Sequence, residues 1–208
     1  MRAMKGMLWV MLLGAGLLGC GTNIGNGMVQ VELAESGDTG TAGTMQAHYA
    51  GNIGEGAGAL EEGGESPAMP EYDEVNVTLG AVQAHALDQE GDERWITLVE
   101  DGGTHDLLKL RNDITAVLGE QAIPAGEYTE LRMIVSEGNV VVDGTTYPLI
   151  IPSAAQTGIK FPHRFQVEED SNYAMVIDFD VAQSIEALGP TGDYLLEPVL
   201  SVRAFREQ

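Results

Sequence analysis

From Tyr72 onward, apolar and polar residues alternate with the period of two expected for strands that bury one face. Val75, Val77, Leu79 and Ala81 predict a first strand over about 74–84. Trp95 to Val99 predicts a second, after the turn residues Asp88 to Asp92. His105 to Leu110 is an apolar run that suits either a strand or a helical turn. Asn112 reads as the cap of a brief helix through Leu118, stopped at Gly119. Ile123 to Glu127 leads into a strand over 128–135, with Leu131, Met133 and Val135 on one face. Val140–Val142, Asp143-Gly144 and Thr145–Ile151 make the clearest hairpin, because Asp-Gly supplies the positive φ angles of a type I′ turn. Further strands are expected over 159–167, 173–180 and 194–205.

The stretch Tyr173 to Leu188 combines two periods. Met175, Ile177 and Phe179 fall on one strand face, while Asp178 and Asp180 fall on the other, about 7 Å apart. Asp180 is placed to cap a helix, with Gln183 completing a capping box and Gly189-Pro190 as the stop. Together these elements predict an all-β fold over residues 71–208. Seven or eight strands and one or two short helices would form an antiparallel β-sandwich, immunoglobulin-like or transthyretin-like.

Before Tyr72 the pattern fails. Residues 21–70 hold twelve glycines, seven acidic residues and no Lys or Arg. Such a segment buries too little to offset its ordering entropy, so it is expected to be a disordered acidic tether following Cys20. As a Gly-rich coil it would reach roughly 35–42 Å and lift the domain off a membrane. Met28, Val29, Val31 and Leu33 are its only strand-like island.

The first residues read as an address. Arg2 and Lys5 precede the apolar run Met7–Leu18, which is too short to span a bilayer. Leu17-Leu18-Gly19-Cys20 then resembles a bacterial lipobox. The resemblance implies a lipoprotein signal over residues 1–19, cleavage between Gly19 and Cys20, and acylation of Cys20, with several acyl chains giving stable anchoring. Gly21 after the cysteine is similar to the enterobacterial sorting signal for the outer membrane. Cys20 is the single cysteine, so no internal disulfide forms.

Charge narrows the function classes. Ten basic residues against 32 acidic ones give a net charge of −22, which repels nucleic acid. Loss of Arg2 and Lys5 with the signal makes the balance more negative. Asp178 and Asp180 have the spacing of a glycosidase carboxylate pair and the hard oxygens of a calcium site; the alternative is a helix cap beside a surface carboxylate. Asp88, Glu90 and Asp92 begin like an EF-hand loop, but Glu93 and Val99 stand where Gly and Glu are needed. His48, His85, His105 and His163 show no metal-ligand spacing. Trp95, Tyr128, Arg132 and Tyr147 are candidates for a ligand face on one sheet, with core packing as the alternative. Calcium is thus the one cofactor these carboxylates suggest, and otherwise none is expected.

The ordered pieces Trp95-Ile-Thr-Leu, Asp106-Leu-Leu-Lys-Leu, Ile123-Pro-Ala-Gly-Glu-Tyr-Thr-Glu-Leu-Arg, Ile151-Pro-Ser, Ile177-Asp-Phe-Asp with Ser184-Ile, and Tyr194-Leu-Leu-Glu-Pro-Val-Leu resemble the family catalogued as domain of unknown function 4382. The resemblance spans about 72–203 and implies an extracytoplasmic β-rich domain of bacterial and archaeal exported proteins. It transfers no catalytic set. The expectation is a non-enzymatic envelope lipoprotein with two partners: the bilayer, through Cys20, and a protein or glycan ligand. A calcium-assisted carbohydrate-binding module is the alternative, and a hydrolase using Asp178 and Asp180 a third.

Overall fold

A computed structural model of the chain describes residues 25–36, 71–87, 93–189 and 192–208. The segments 1–24 and 37–70 lie outside the described residues. So does the acidic turn 88–92 that contains Asp88, Glu90 and Asp92.

The protein is an all-β sandwich of two sheets. The smaller has four strands: β1 (Asn26–Glu35), β5 (Ala116–Pro124), β9 (Asn172–Asp180) and β12 (Val199–Glu207), in the order β12-β9-β1-β5. The larger has eight. Its backbone is β2 (Glu74–Leu87) paired with the 17-residue β6 (Gly126–Val142). On β2 lie β3 (Glu93–Val99) and β4 (Gly103–Asp106); on β6 lie β7 (Thr145–Ile150) and β8 (Ile159–Val167). β11 (Tyr194–Leu196) and β10 (Ile185–Ala187) extend it beyond β7. Two helical turns, α1 (Ser153–Thr157) and α2 (Val181–Ser184), cover connections.

The core fills the space between the sheets. Val29, Val31 and Leu33 from β1, with Met175, Ile177 and Phe179 from β9, meet Val75, Val77, Leu79, Leu131, Met133 and Val135 from the larger sheet. Each set follows the period of two, so its burial is what the alternation encodes. Most pairings are antiparallel, but β1 runs parallel to β9, and β11 parallel to β7.

The largest departure from expectation is β1. The island inside the predicted tether is an inner strand of the smaller sheet, hydrogen-bonded to β5 on one side and β9 on the other. The tether reading is therefore corrected for residues 26–35. Glycine around the island hides a strand whose partners lie far along the chain, and Gly27 is itself part of the fit: a Cβ there would come within 2.5 Å of the Glu168 carbonyl oxygen.

Three other elements differ. Asn112 caps no helix; Asn112 and Asp113 take φ of 57° and 63°, which turns the chain out of a short 3₁₀ turn (Leu107–Leu110) and into β5. Gly119 is consequently a strand residue, packed on Val99. The helix started by Asp180 ends at Ser184, because Ile185 turns inward and pairs with Leu196. The predicted strand 194–205 divides at Pro198, sending β11 to one sheet and β12 to the other. The Asp143-Gly144 hairpin stands as expected, with φ of 49° and 71°.

Candidate functional site

Asp178 and Asp180 share the side of β9 turned away from the core, and their oxygens are engaged very differently. Asp180 caps α2: one oxygen accepts the Gln183 backbone N–H at 2.9 Å and the other accepts the Gln183 side-chain amide. Asp178 is buried; its Oδ2 accepts from the Ser36 hydroxyl, and Oδ1 has no partner among the described residues. A carboxylate that stacks its two oxygens on one helix turn, as Asp180 does, has little freedom to act as nucleophile or general acid. Among the described residues no group of three or more His, Cys, Asp or Glu side chains is arranged to hold a metal ion.

Beside this pair lies a residue the alternation did not single out. Glu35 ends β1 on the core-facing side, opposite Phe179, and is only 2 % exposed. Burial raises its pKa above the ordinary 4.5, against the lowering effect of Arg111, with Asp178 and Asp180 adding to the rise. Arg111 donates from Nε to Glu35 Oε2 at 2.6 Å. This pair, with Glu35 buried and the Arg111 side chain 41 % exposed, ties the end of β1 to the residue that follows the 3₁₀ turn.

The second constellation is on the outer face of the larger sheet. Register places Gln83 opposite both Thr97 and Arg132, Arg132 opposite Lys160, and His85 opposite both Trp95 and Glu130. Trp95 lies under two cations: the Arg132 guanidinium carbon is 4.4 Å from its ring centroid and the Lys160 ammonium 4.9 Å. The His85 ring is 5.0 Å away. Arg132 is fixed from three directions. Its Nε and one terminal nitrogen both donate to Gln83 Oε1, Trp95 provides a π face, and Gly158 presses on its stem so closely that a Cβ would sit 2.6 Å from Cδ.

Among the described residues the hydrogen-bond partner of Arg132 is thus a neutral amide, which does not neutralise the guanidinium charge. Other cations of this acidic chain sit on carboxylates: Lys109 on Asp106, Arg111 on Glu35 and Lys160 on Glu130. Of five N–H donors on a guanidinium, two are taken by Gln83. The remaining guanidinium donors, with the Glu130-paired Lys160 and a half-buried indole, form a small polar and aromatic platform.

Trp95 and Arg132 are therefore brought together, but Tyr128 and Tyr147 are not with them. Tyr128 is a core residue, 2 % exposed, stacked on Phe165 with its hydroxyl donating to the Pro124 carbonyl at 2.7 Å. Burial pushes its pKa up to about 12. Its expected place on a ligand face is corrected by strand parity: a bulge at Thr129 puts Tyr128 in register with the inward residues of β6. Tyr147 packs against Tyr194, which also contacts Tyr72, near the opposite end of the sheet. His163 lies beside Phe165 with Nε2 buried and without a hydrogen-bond partner among the described residues, and burial lowers its pKa. His105 donates from Nε2 to the turn carbonyl of Gly102 at 2.7 Å. His48 lies outside the described residues, as do Gly19 and Cys20. A separate cleft of about 390 Å³ between α1 and the start of β12 is lined by Pro152, Ala155, Ile159, Pro198 and Val199; it gathers no cluster of charges.

With the geometry established, comparison with known proteins adds one fact. Residues 65–198 match the family described as a domain of unknown function, DUF4382. The chain belongs to this family. The matched segment of this DUF4382 member contains the whole larger sheet and the Trp95 platform, whereas β1 and β12 lie outside it. No curated protein and no solved structure matches the chain.

Proposed function

We propose that this DUF4382 protein is an envelope lipoprotein, anchored through acylated Cys20, whose sandwich binds a ligand on the outer face of the larger sheet rather than turning over a substrate. The observation that carries the binding reading is Trp95 held beneath Arg132 and Lys160, with Arg132 fixed by a neutral amide. An immobilised aromatic beside a guanidinium held by a neutral amide has the composition of a recognition site, because little side-chain entropy remains to be lost on binding. The engagement of both Asp180 oxygens on α2 favours binding over hydrolysis. The anchor rests on Leu17-Leu18-Gly19-Cys20 after a basic start and an apolar run, with the outer membrane favoured by Gly21.

The glycan alternative keeps the same face, since indole rings stack on sugars. A screen of the full chain against glycans and against envelope proteins, with Trp95→Ala and Arg132→Gln alongside, tests the binding face. Both variants should lose the ligand that the wild type retains while melting within a few degrees of it. Retention by both variants would remove the platform from the reading. Palmitate labelling of wild type and Cys20→Ser tests the anchor, with label expected in the wild type alone.

A further inference from the structure

The place of β1 changes what the anchor does. Gly25 is already pinned to the sandwich: its N–H donates to Glu169 Oε1 at 2.9 Å and its carbonyl accepts from Ala125 N–H at 2.8 Å. Only five chain steps separate it from Cys20, which span about 18 Å at full stretch. A fifty-residue spacer would have placed the domain roughly twice as far away on average. The 34-residue stretch 37–70 falls after β1 and so adds nothing to this leash.

Resting on the lipoprotein reading, we infer that Cys20 holds the sandwich against the bilayer by one defined end, with the Trp95 platform facing sideways just above the headgroups. That end is set by connectivity. Asn26 pairs with Pro124, Ala125 bridges directly to β6, and Gly126 pairs with Val167. The turn Glu168-Glu169-Asp170 completes it, with Asp170 N–H donating to the Asn26 carbonyl at 3.0 Å. Tyr128, two residues into β6, pairs with Ala86, and the neighbouring rung is His85–Trp95. Trp95 therefore lies only two or three rungs from the anchored end, on the order of 10 Å at 3.3 Å per residue.

The opposite end is far away. Val141 pairs with Thr146, fifteen residues along β6 from Gly126, or about 50 Å by the same rise. The anchored end also carries Glu168, Glu169 and Asp170, and a carboxylate cluster is repelled by anionic headgroups. The contact is thus a covalent leash and not adhesion. Its consequence is positional: the platform faces molecules that lie at the bilayer surface.

Energy transfer tests this. Trp9 and Trp95 are the only tryptophans, and signal removal leaves Trp95 as the sole donor. Acylated full-length protein is incorporated into phosphatidylcholine vesicles containing a dansyl-labelled lipid. Strong transfer from Trp95 is expected. Transfer should fall at least several-fold when forty Gly/Ser residues are inserted after Cys20, and also in Trp95→Phe combined with Thr146→Trp, which moves the donor to the far end. Equal transfer from both donor positions, or no response to the insertion, would overturn the inference while the protein still floats with the vesicles. Failure to float at all, with Cys20 unacylated, would instead remove the lipoprotein reading beneath it.

Discussion

Glu35 and His163 respond to pH in opposite senses, because burial acts on an acid and a base. The Glu35 pKa is raised, so protonation favours the fold: its contribution appears as pH falls through the raised value and is complete below about 4.5. The His163 pKa is lowered, so its contribution is complete above about 6.5 and is lost as pH falls through the folded value. His163→Phe should therefore flatten the decline in melting temperature between pH 7.5 and 5.5; an unchanged slope would exclude His163 as its source. Arg111→Ala leaves Glu35 buried without its cation, which should cost roughly 1.5–3 kcal/mol at pH 7. Denaturant titration should show that loss shrinking as pH falls and Glu35 becomes neutral. At Asp180, loss of the cap in Asp180→Ala should cost about 1 kcal/mol, whereas a catalytic or calcium role would leave stability nearly intact.

At the level of elements, legibility followed the range of the interactions that decide each one. The hairpin at Asp143-Gly144 was readable because two adjacent residues dictate its turn, and β8 matched its expected span because its alternation is uninterrupted. β6 read as two strands since Ser136 to Gly138 breaks the apolar pattern, yet Gly138 is where the chain passes under Leu149, with no room for a Cβ. β1 was hidden for the opposite reason: its pattern is sound, but its partners lie some ninety and 145 positions away in the register Met28↔Ala122 and Met28↔Asn172. The candidate site was half readable. Trp95 and Arg132 stood out as scarce residue types, while Gln83, Lys160 and Gly158 become relevant only once the cross-strand register is known. Leu33, fully buried near the C-terminal end of β1, gives the element its sharpest test. Leu33→Ala should cost about 2–5 kcal/mol, a large share of an ordinary domain's stability; a loss below 1 kcal/mol would mean that β1 is not part of the cooperative core.

For the whole molecule, the −22 charge and the position of β1 set the behaviour. Self-repulsion of that size destabilises the compact state, so added calcium should raise the melting temperature no more than magnesium at equal ionic strength. A calcium-specific rise of several degrees would restore a metal site among the acidic loops. Under the proposed lipoprotein reading, β1 inside the sheet makes anchor and sandwich one short unit and gives the proposed binding face a defined height above the membrane. Amide hydrogen exchange on the unmodified full chain tests that unit most directly. The account predicts that amides of residues 28–34 exchange as slowly as those of 173–179 in β9, their hydrogen-bonded neighbour, since both would open only with the whole sheet. Exchange of residues 28–34 at the rate of an unstructured peptide, with β9 still protected, would contradict it and return the segment to a tether.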